Sequence, residues 1–368
     1  MKTLYDDKKS KRVLKFESLE DRQLLAIGVA EFDIIREENP DIGLFPDFNH
    51  YNIIEISNDI LTEDSLKNAI FSAYDTSQDD LIVIRTSHSL NKIVLAGNEI
   101  GIKLDSKIQG SITFVVLGDY KLTIDANQQS RVFNILEGHV LISGMNIIGG
   151  QTKEDEIRGG GILNAGNLTL IDVDIINNVS GNFWGAGGGI SNTGRLTMKK
   201  TSIIGNKSYF GGGIESTGLL SLYDCTISKN SADESGGGGI VSSGITAISN
   251  CIISNNFGLN FGSGIFSDGE LTISSSEVSN NIGSSGIFSN GKLVIINSKI
   301  TGNWGEIGGG IYSKGVLKLS GCVVSGNSAI IGGGIANDEG YLLITNTTIA
   351  GNKAEYGGGV FSSENYAL

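Results

Sequence analysis

Residues Ile307 to Asn327 read IGGGIYSKGVLKLSGCVVSGN. Three glycines run into Ile311. Leu317 and Leu319 then alternate with polar neighbours, Cys322 and Val324 alternate again, and the stretch closes on Gly326 and Asn327. Alternation with a period of two over a few residues marks strands, not helix. The strands are short, and glycine and asparagine punctuate them as turn residues do.

Nearly the same sentence recurs along the chain. Aligned on the glycine runs, the anchor residues are Ile162, Ile190, Ile214, Ile240, Ile265, Ile287, Ile311, Ile335 and Val360. Their spacings are 28, 24, 26, 25, 22, 24, 24 and 25 residues. A period near 25 is the signature of a solenoid. Four residues past the anchor stands glycine (Gly166, Gly194, Gly218, Gly244, Gly269, Gly291, Gly315). Positions six and eight are apolar, as in Leu168 and Leu170 or Leu317 and Leu319. Position eleven is small and position thirteen β-branched, as in Cys322 and Val324. Position sixteen is always asparagine: Asn178, Asn206, Asn230, Asn256, Asn281, Asn303, Asn327 and, in a unit one residue longer, Asn352. The distance from that asparagine to the next anchor varies from 6 to 12 residues. Length variation therefore sits in one connection, just before the glycines.

These columns predict an all-β, single-stranded right-handed parallel β-helix of about 25 residues per coil, with three short strands per coil. Successive coils then stack about 4.8 Å apart, and inward side chains fall on identical columns. Position-four glycines and position-sixteen asparagines are expected at corners with positive φ, which these two residues adopt most readily. The asparagines are also expected to bond one another from coil to coil as an amide ladder. A leucine-rich repeat is the rival, since LIDVDIINN (170–178) fits its pattern. It needs a packed helical or apolar segment after the asparagine, where this chain has SADESGGGGI (231–240). Three glycines there cost a helix about 3 kcal/mol.

The repeats, with GGGI followed by ITGN (300–303) or VSGN (324–327), resemble those of polymorphic outer membrane proteins and of pectate-lyase-like parallel β-helices. Upstream, LTEDSLKNAIFSAYDTSQDDLIVI (61–84) resembles the CSLREA segment that precedes such helices, without its cysteine. KLTIDANQQSRVFNILEGHVLISGMNIIGG (121–150) resembles their first coils. Near the start, LEDRQLLA (19–26) resembles the LEPR-XLL motif of large planctomycete-type surface proteins: Leu19, Glu20, Arg22, Leu24 and Leu25 match, with Asp21 where the motif has proline. The resemblance implies an extracellular or cell-surface protein that is structural or adhesive, with polysaccharide or a cell-surface protein as partner.

The chain divides into a basic, sorting-type segment (1–26), a linker (27–49), a cap with the first coils (50–130) and the repeats (131–368). A capping helix is predicted from Glu63 to Tyr74. Thr62 caps it, Glu63 and Asp64 suit its positive end, and Leu66, Ile70 and Ala73 share a face. The last unit breaks off eight residues past Val360, at FSSENYAL (361–368), and leaves a coil open to end-to-end stacking.

Composition narrows the function. Glycine numbers 53 and proline 2, which excludes collagen, whose repeat needs both. A net charge of −13 speaks against nucleic acid, whose phosphates call for clustered Lys and Arg. No apolar run is long enough for a membrane-spanning helix. The three histidines (His50, His88, His139) lie outside the glycine repeats, so histidine-based triads and metal sites have no natural place. Cys225, Cys251 and Cys322 fall in the small position-eleven column and are expected as free thiols.

One outward column carries charge on successive coils: Asp172, Lys200 and Asp224 at position ten, with Asp174 nearby. Paired carboxylates suit a glycosidase, and carboxylates holding calcium beside a basic residue suit a polysaccharide lyase. This quartet is the only candidate catalytic group, and Ca²⁺ enters only with that enzymatic alternative. The competing reading is a solvated cross-coil charge pairing. The main expectation is a protein that needs no cofactor and carries no catalytic site.

Overall fold

The computed structural model describes residues 27–153, 158–181, 184–233 and 236–363. The segment with the LEPR-XLL-like motif (1–26) lies outside the described residues, as do 364–368.

The described chain winds into a right-handed parallel β-solenoid. Three parallel sheets run its length, with 12, 11 and 11 strands. In the coil that opened the sequence reading, the strands are Ile311–Ser313, Val316–Ser320 and Val323–Ser325. Each pairs column on column with its neighbour: Ile287 with Ile311, Leu293 with Leu317, Ile300 with Val324. Inward residues are thereby stacked on their equivalents, and the anchor, leucine and β-branched columns are buried as far as Ile335; in the last unit Leu342, Ile344 and Ile349 are partly buried and Val360 is exposed. A fourth, short sheet was not foreseen. It joins Lys207–Ser208, Ser231–Ala232, Phe257–Gly258 and Ile282–Gly283, directly after the ladder asparagines. The variable connection thus starts with a stacked rung before it loops out.

The corners differ from expectation. Neither position four nor position sixteen is left-handed. The left-handed columns are ten and fifteen. Position ten (Asp172, Lys200, Asp224, Asn250, Ser275, Asn297, Gly321, and Asn346 in the longer unit) has φ from 47° to 66° throughout. Position fifteen (Asn177, Gly205, Lys229, Asn255, Asn280, Gly302, Gly326, Gly351) has φ from 54° to 67°. Position-four glycine is needed for space: a Cβ on Gly315 would stand 2.0 Å from the carbonyl oxygen of Gly291 on the coil before.

Helix α1 spans Val29–Glu38 and α2 spans Glu63–Tyr74. In α2 the Thr62 hydroxyl accepts from the Ser65 amide at 3.1 Å, and Ser65 Oγ accepts from the Thr62 amide at 3.0 Å, a reciprocal cap. Leu66, Ala69, Ile70 and Ala73 of α2 belong to the solenoid's core cluster and close its first coil. That cover shields strand ends that would otherwise recruit other chains. Within 27–49, read above as linker, α1 and a following 3₁₀ turn (Pro40–Ile42) lie on the outer face of the 12-stranded sheet. Phe32, Ile35 and Ile42 bury against Leu81, Val83, Val115 and Ile171. Arg85 fastens this strap by ion pairs with Glu31 and Glu55.

Candidate functional site

The charged quartet lies beside the strap, and each member has a partner. Lys121 Nζ reaches Asp172 Oδ1 at 2.8 Å and Asp174 Oδ2 at 2.9 Å. Lys200 Nζ meets Asp41 Oδ2 at 2.5 Å, and Lys199 pairs with the other oxygen of Asp41. Asp224 accepts a hydrogen bond from the Asn250 side chain one coil on. Asp172, Lys200, Asp41 and Lys121 line a groove of about 680 Å³. Sequence reasoning missed Lys121 and Asp41, because neither belongs to the repeat.

Electrostatics favour the charged form of both lysines. Burial works against the Lys121 ammonium, but the hydrogen bonds it donates to Asp172 and Asp174 outweigh it and raise the pKa. The hydrogen bond to Asp41 raises Lys200 too, with Asp224 and Asp172 adding to it. A lyase base must shed its proton near working pH, which calls for a lowered lysine pKa. Hydrogen bonds from Lys199 and Lys200 hold the Asp41 carboxyl below the usual carboxylate range. The left-handed backbone explains the column's composition independently. Asp and Asn tolerate that conformation best after glycine, so Asp172, Asp224, Asn250 and Asn297 suit a corner.

Two ladders run inside the coils. In the asparagine ladder, Asn206 Nδ2 donates to Asn230 Oδ1 at 3.0 Å and to the Ile175 carbonyl at 2.9 Å, while the Asn206 amide N–H donates to Asn230 Oδ1 at 2.9 Å. The pattern repeats from Asn178 through Asn230, Asn256, Asn281, Asn303 and Asn327 to Asn352. From Asn178 to Asn327 these amides are buried and spent on structure, and Asn352 is partly exposed.

The position-eleven column makes the second ladder, where size alone was read from the sequence. Ser276 Oγ donates to the Ser274 carbonyl at 2.7 Å and accepts from the Cys251 amide at 3.0 Å. Cys225, Cys251 and Cys322 are buried and free, with Cys225 and Cys251 as rungs of this ladder. Contact with Cys251, then burial, pushes the Cys225 thiol up.

Outward aromatics stack as well. Phe288 and Tyr312 are 4.6 Å apart and nearly parallel, with Phe266 and Phe261 continuing the stack. Their faces are covered by one another, so they are a stabilising column more than a flat platform. Trp184, on the variable edge, packs against Tyr209 and stacks on Phe210, yet is 66% exposed and left-handed at φ 65°. A bulky side chain there is an outlier.

Among the described residues, no three His, Cys, Asp or Glu side chains converge to hold a metal ion, and no helix is long and apolar enough to cross a membrane. No protein-family model matches the chain, and neither a curated protein nor a solved structure matches it.

Proposed function

We propose that the chain is a secreted or cell-surface β-helix with a structural and adhesive role, offering a rigid repetitive surface for carbohydrate or protein contact. The observation that carries this reading is the state of the one charged cluster. Asp172 and Asp174 are spent on Lys121, and Lys200 is spent on Asp41, where it fastens the strap to the sheet. The resemblance of the repeats to polymorphic outer membrane proteins, of residues 61–84 to the CSLREA segment and of residues 19–26 to LEPR-XLL supports an extracellular or surface location. On this reading the protein needs no cofactor and does not bind nucleic acid.

The enzymatic alternative is a polysaccharide lyase or glycoside hydrolase of the pectate-lyase-like fold. It would use Asp172, Asp174, Lys200 and Asp224, with Ca²⁺ as the added ion. The groove of about 680 Å³ lined by two of these residues, Asp172 and Lys200, is what speaks for it.

Incubation with a panel of neutral and acidic glycans, with and without Ca²⁺, separates the two. The structural reading expects unchanged chain lengths. New reducing or unsaturated ends that vanish in Asp172→Asn would establish the enzyme instead. Protease shaving of intact cells tests location, and a protein shielded until lysis would refute a surface role.

A further inference from the structure

The variable edge changes length abruptly near its N-terminal end. Residues 95–99 join the strands Lys92–Val94 and Ile100–Lys103, and residues 126–132 join Leu122–Asp125 and Phe133–Glu137. The next two connections run from 149 to 161 and from 177 to 189. At this step in length lies a hollow of about 620 Å³, lined by Gln128, Gln129, Gln151, Thr152 and Lys153, with Gly97 and Gly181. A second hollow of about 320 Å³ shares Gly97, Gln151 and Lys153 and adds Asn98, Glu99 and Ser130. The two are neighbouring parts of one cleft wall, sharing Gly97, Gln151 and Lys153.

Its chemistry is specific. The amides of Gln128, Gln129 and Gln151 each offer donors and acceptors on the cleft wall. Ser130 is 8% exposed, and its Oγ is buried without a hydrogen-bond partner. Glu99 is neutralised by Arg131 beneath, so its carboxylate does not repel an anion. Lys153 is exposed at the mouth. Asn127 and Gln128 are consecutive non-glycine residues at φ 51° and 59°. Such strain persists where surrounding structure enforces it, commonly at ligand sites. Trp184 stands on the loop that contributes Gly181. Gly185 comes close to Gly181: a Cβ on it would lie 3.2 Å from Gly181 Cα.

An apolar ligand would leave the wall amides and the Ser130 hydroxyl unpaired, at a cost for each. A phosphate calls for more than one cation or a bidentate arginine. A ligand rich in hydroxyls with a single carboxylate matches what is present.

We propose that this cleft binds an oligosaccharide containing a carboxylated sugar. Ring hydroxyls meet Gln128, Gln129 and Gln151, the carboxylate meets Lys153, and a neighbouring sugar lies over the Trp184 indole. The proposal rests on the surface-recognition reading and gives that reading a place and a ligand class.

The test uses 3′-sialyllactose and lactose as probes, titrated calorimetrically into the full chain. Trp304→Phe leaves Trp184 as the only tryptophan, so its fluorescence reports the same event. Sialyllactose should bind saturably and shift Trp184 emission, with lactose at least ten-fold weaker. Lys153→Ala and Gln151→Ala should each weaken sialyllactose at least five-fold with the melting temperature unchanged. No binding of either probe overturns the proposal, as does equal affinity for both. Binding untouched by both variants assigns the sugar to another surface, which refutes the cleft and leaves surface recognition standing. Cell shaving reports on location separately, so the surface reading fails or stands by its own measurement.

Discussion

Replacing Asn256 with alanine is the sharpest probe of what holds the coils together. Asn256 is 1% exposed. Its Oδ1 accepts from the Asn230 amide N–H and from Asn230 Nδ2, each at 3.0 Å, and its Nδ2 donates to the Ile227 carbonyl at 3.0 Å. Asn256→Ala removes these three and the Nδ2 bond to Asn281 Oδ1 at once. Asn281 Oδ1 loses one donor but keeps the Asn256 backbone N–H at 3.0 Å. Asn230 Nδ2 keeps the Ile203 carbonyl at 2.9 Å, so the Asn230 backbone N–H and the Ile227 carbonyl, at ~1–3 kcal/mol each, put the cost at about 2–6 kcal/mol, about 4 kcal/mol at its centre. Asn352 makes the equivalent bonds to Asn327 and Val324 but is partly exposed, so water replaces what Asn352→Ala removes. That variant should cost about 1 kcal/mol. A solenoid's unfolding is a sum of local and nearest-neighbour contributions, so a single midpoint can hide a local loss. Native-state hydrogen exchange, read on peptides covering 203–230 and 252–256, reports it directly. A cost for Asn256→Ala below about 1 kcal/mol, or equal to that of Asn352→Ala, would refute the ladder as a main source of rigidity.

Glycine substitutions separate crowding from conformation. A Cβ on Gly194 would lie 2.1 Å from the Gly166 carbonyl oxygen, so Gly194→Ala must push two coils apart and should cost upwards of 3 kcal/mol by urea titration. At Gly326 the nearest atom is 3.8 Å away and φ is +66°, so Gly326→Ala should cost only about 1–2 kcal/mol and Gly326→Asn less. The cysteines should resist iodoacetamide in the native state and all three react once unfolded, since each thiol is buried; rapid native labelling of Cys225 would contradict the ladder. Burial pushes the Asp80 carboxyl up to about 6, against hydrogen bonds from Asn52 and Thr76. Its unfolded value is near 4, so the folded form holds the extra proton between about pH 4 and 6. Stability contributed by this group should therefore fall as pH rises through that window and level off above it. Asp80→Asn should abolish that fall, and parallel urea midpoints at pH 4.5 and 7.5 for both proteins would rule the effect out.

The fold was legible because the coil writes the same constraint many times. One column of leucines is weak evidence; eight stacked asparagines at a fixed offset leave few architectures. What misled was assigning cause to the columns. Gly315 and Asn327 looked like left-handed corners because glycine and asparagine favour that conformation. One residue type serves two purposes here: Gly315 is glycine for lack of room, and Asn327 is asparagine for its amide. The true corner at position fifteen mixes Asn177, Gly205, Lys229 and Asn255, a composition that carried the signal but was diluted by the lysine. Position ten carried it too, yet the charges of Asp172, Lys200 and Asp224 drew attention as chemistry. Asp41, Lys121 and the cleft by Gln151 were beyond reach. They arise where unique segments meet the repeat, and one sequence holds no second copy against which to align them.

The asparagine ladder has a direction. The backbone N–H of each rung is satisfied by the amide of the coil that follows it in the chain, so every coil is completed by its successor. With α2 sealing the first coil, the direction runs outward from a fixed base. A coil laid down in register is locked when the next arrives; a slip of one residue would turn its amide outward and offer the next coil nothing to bond. Length then becomes a free parameter. Each further coil would extend the rod by about 4.8 Å without disturbing the base, the strap or the cleft near it. Lineages that gain or lose whole coils would be adjusting a ruler, setting how far the base is held from the tip.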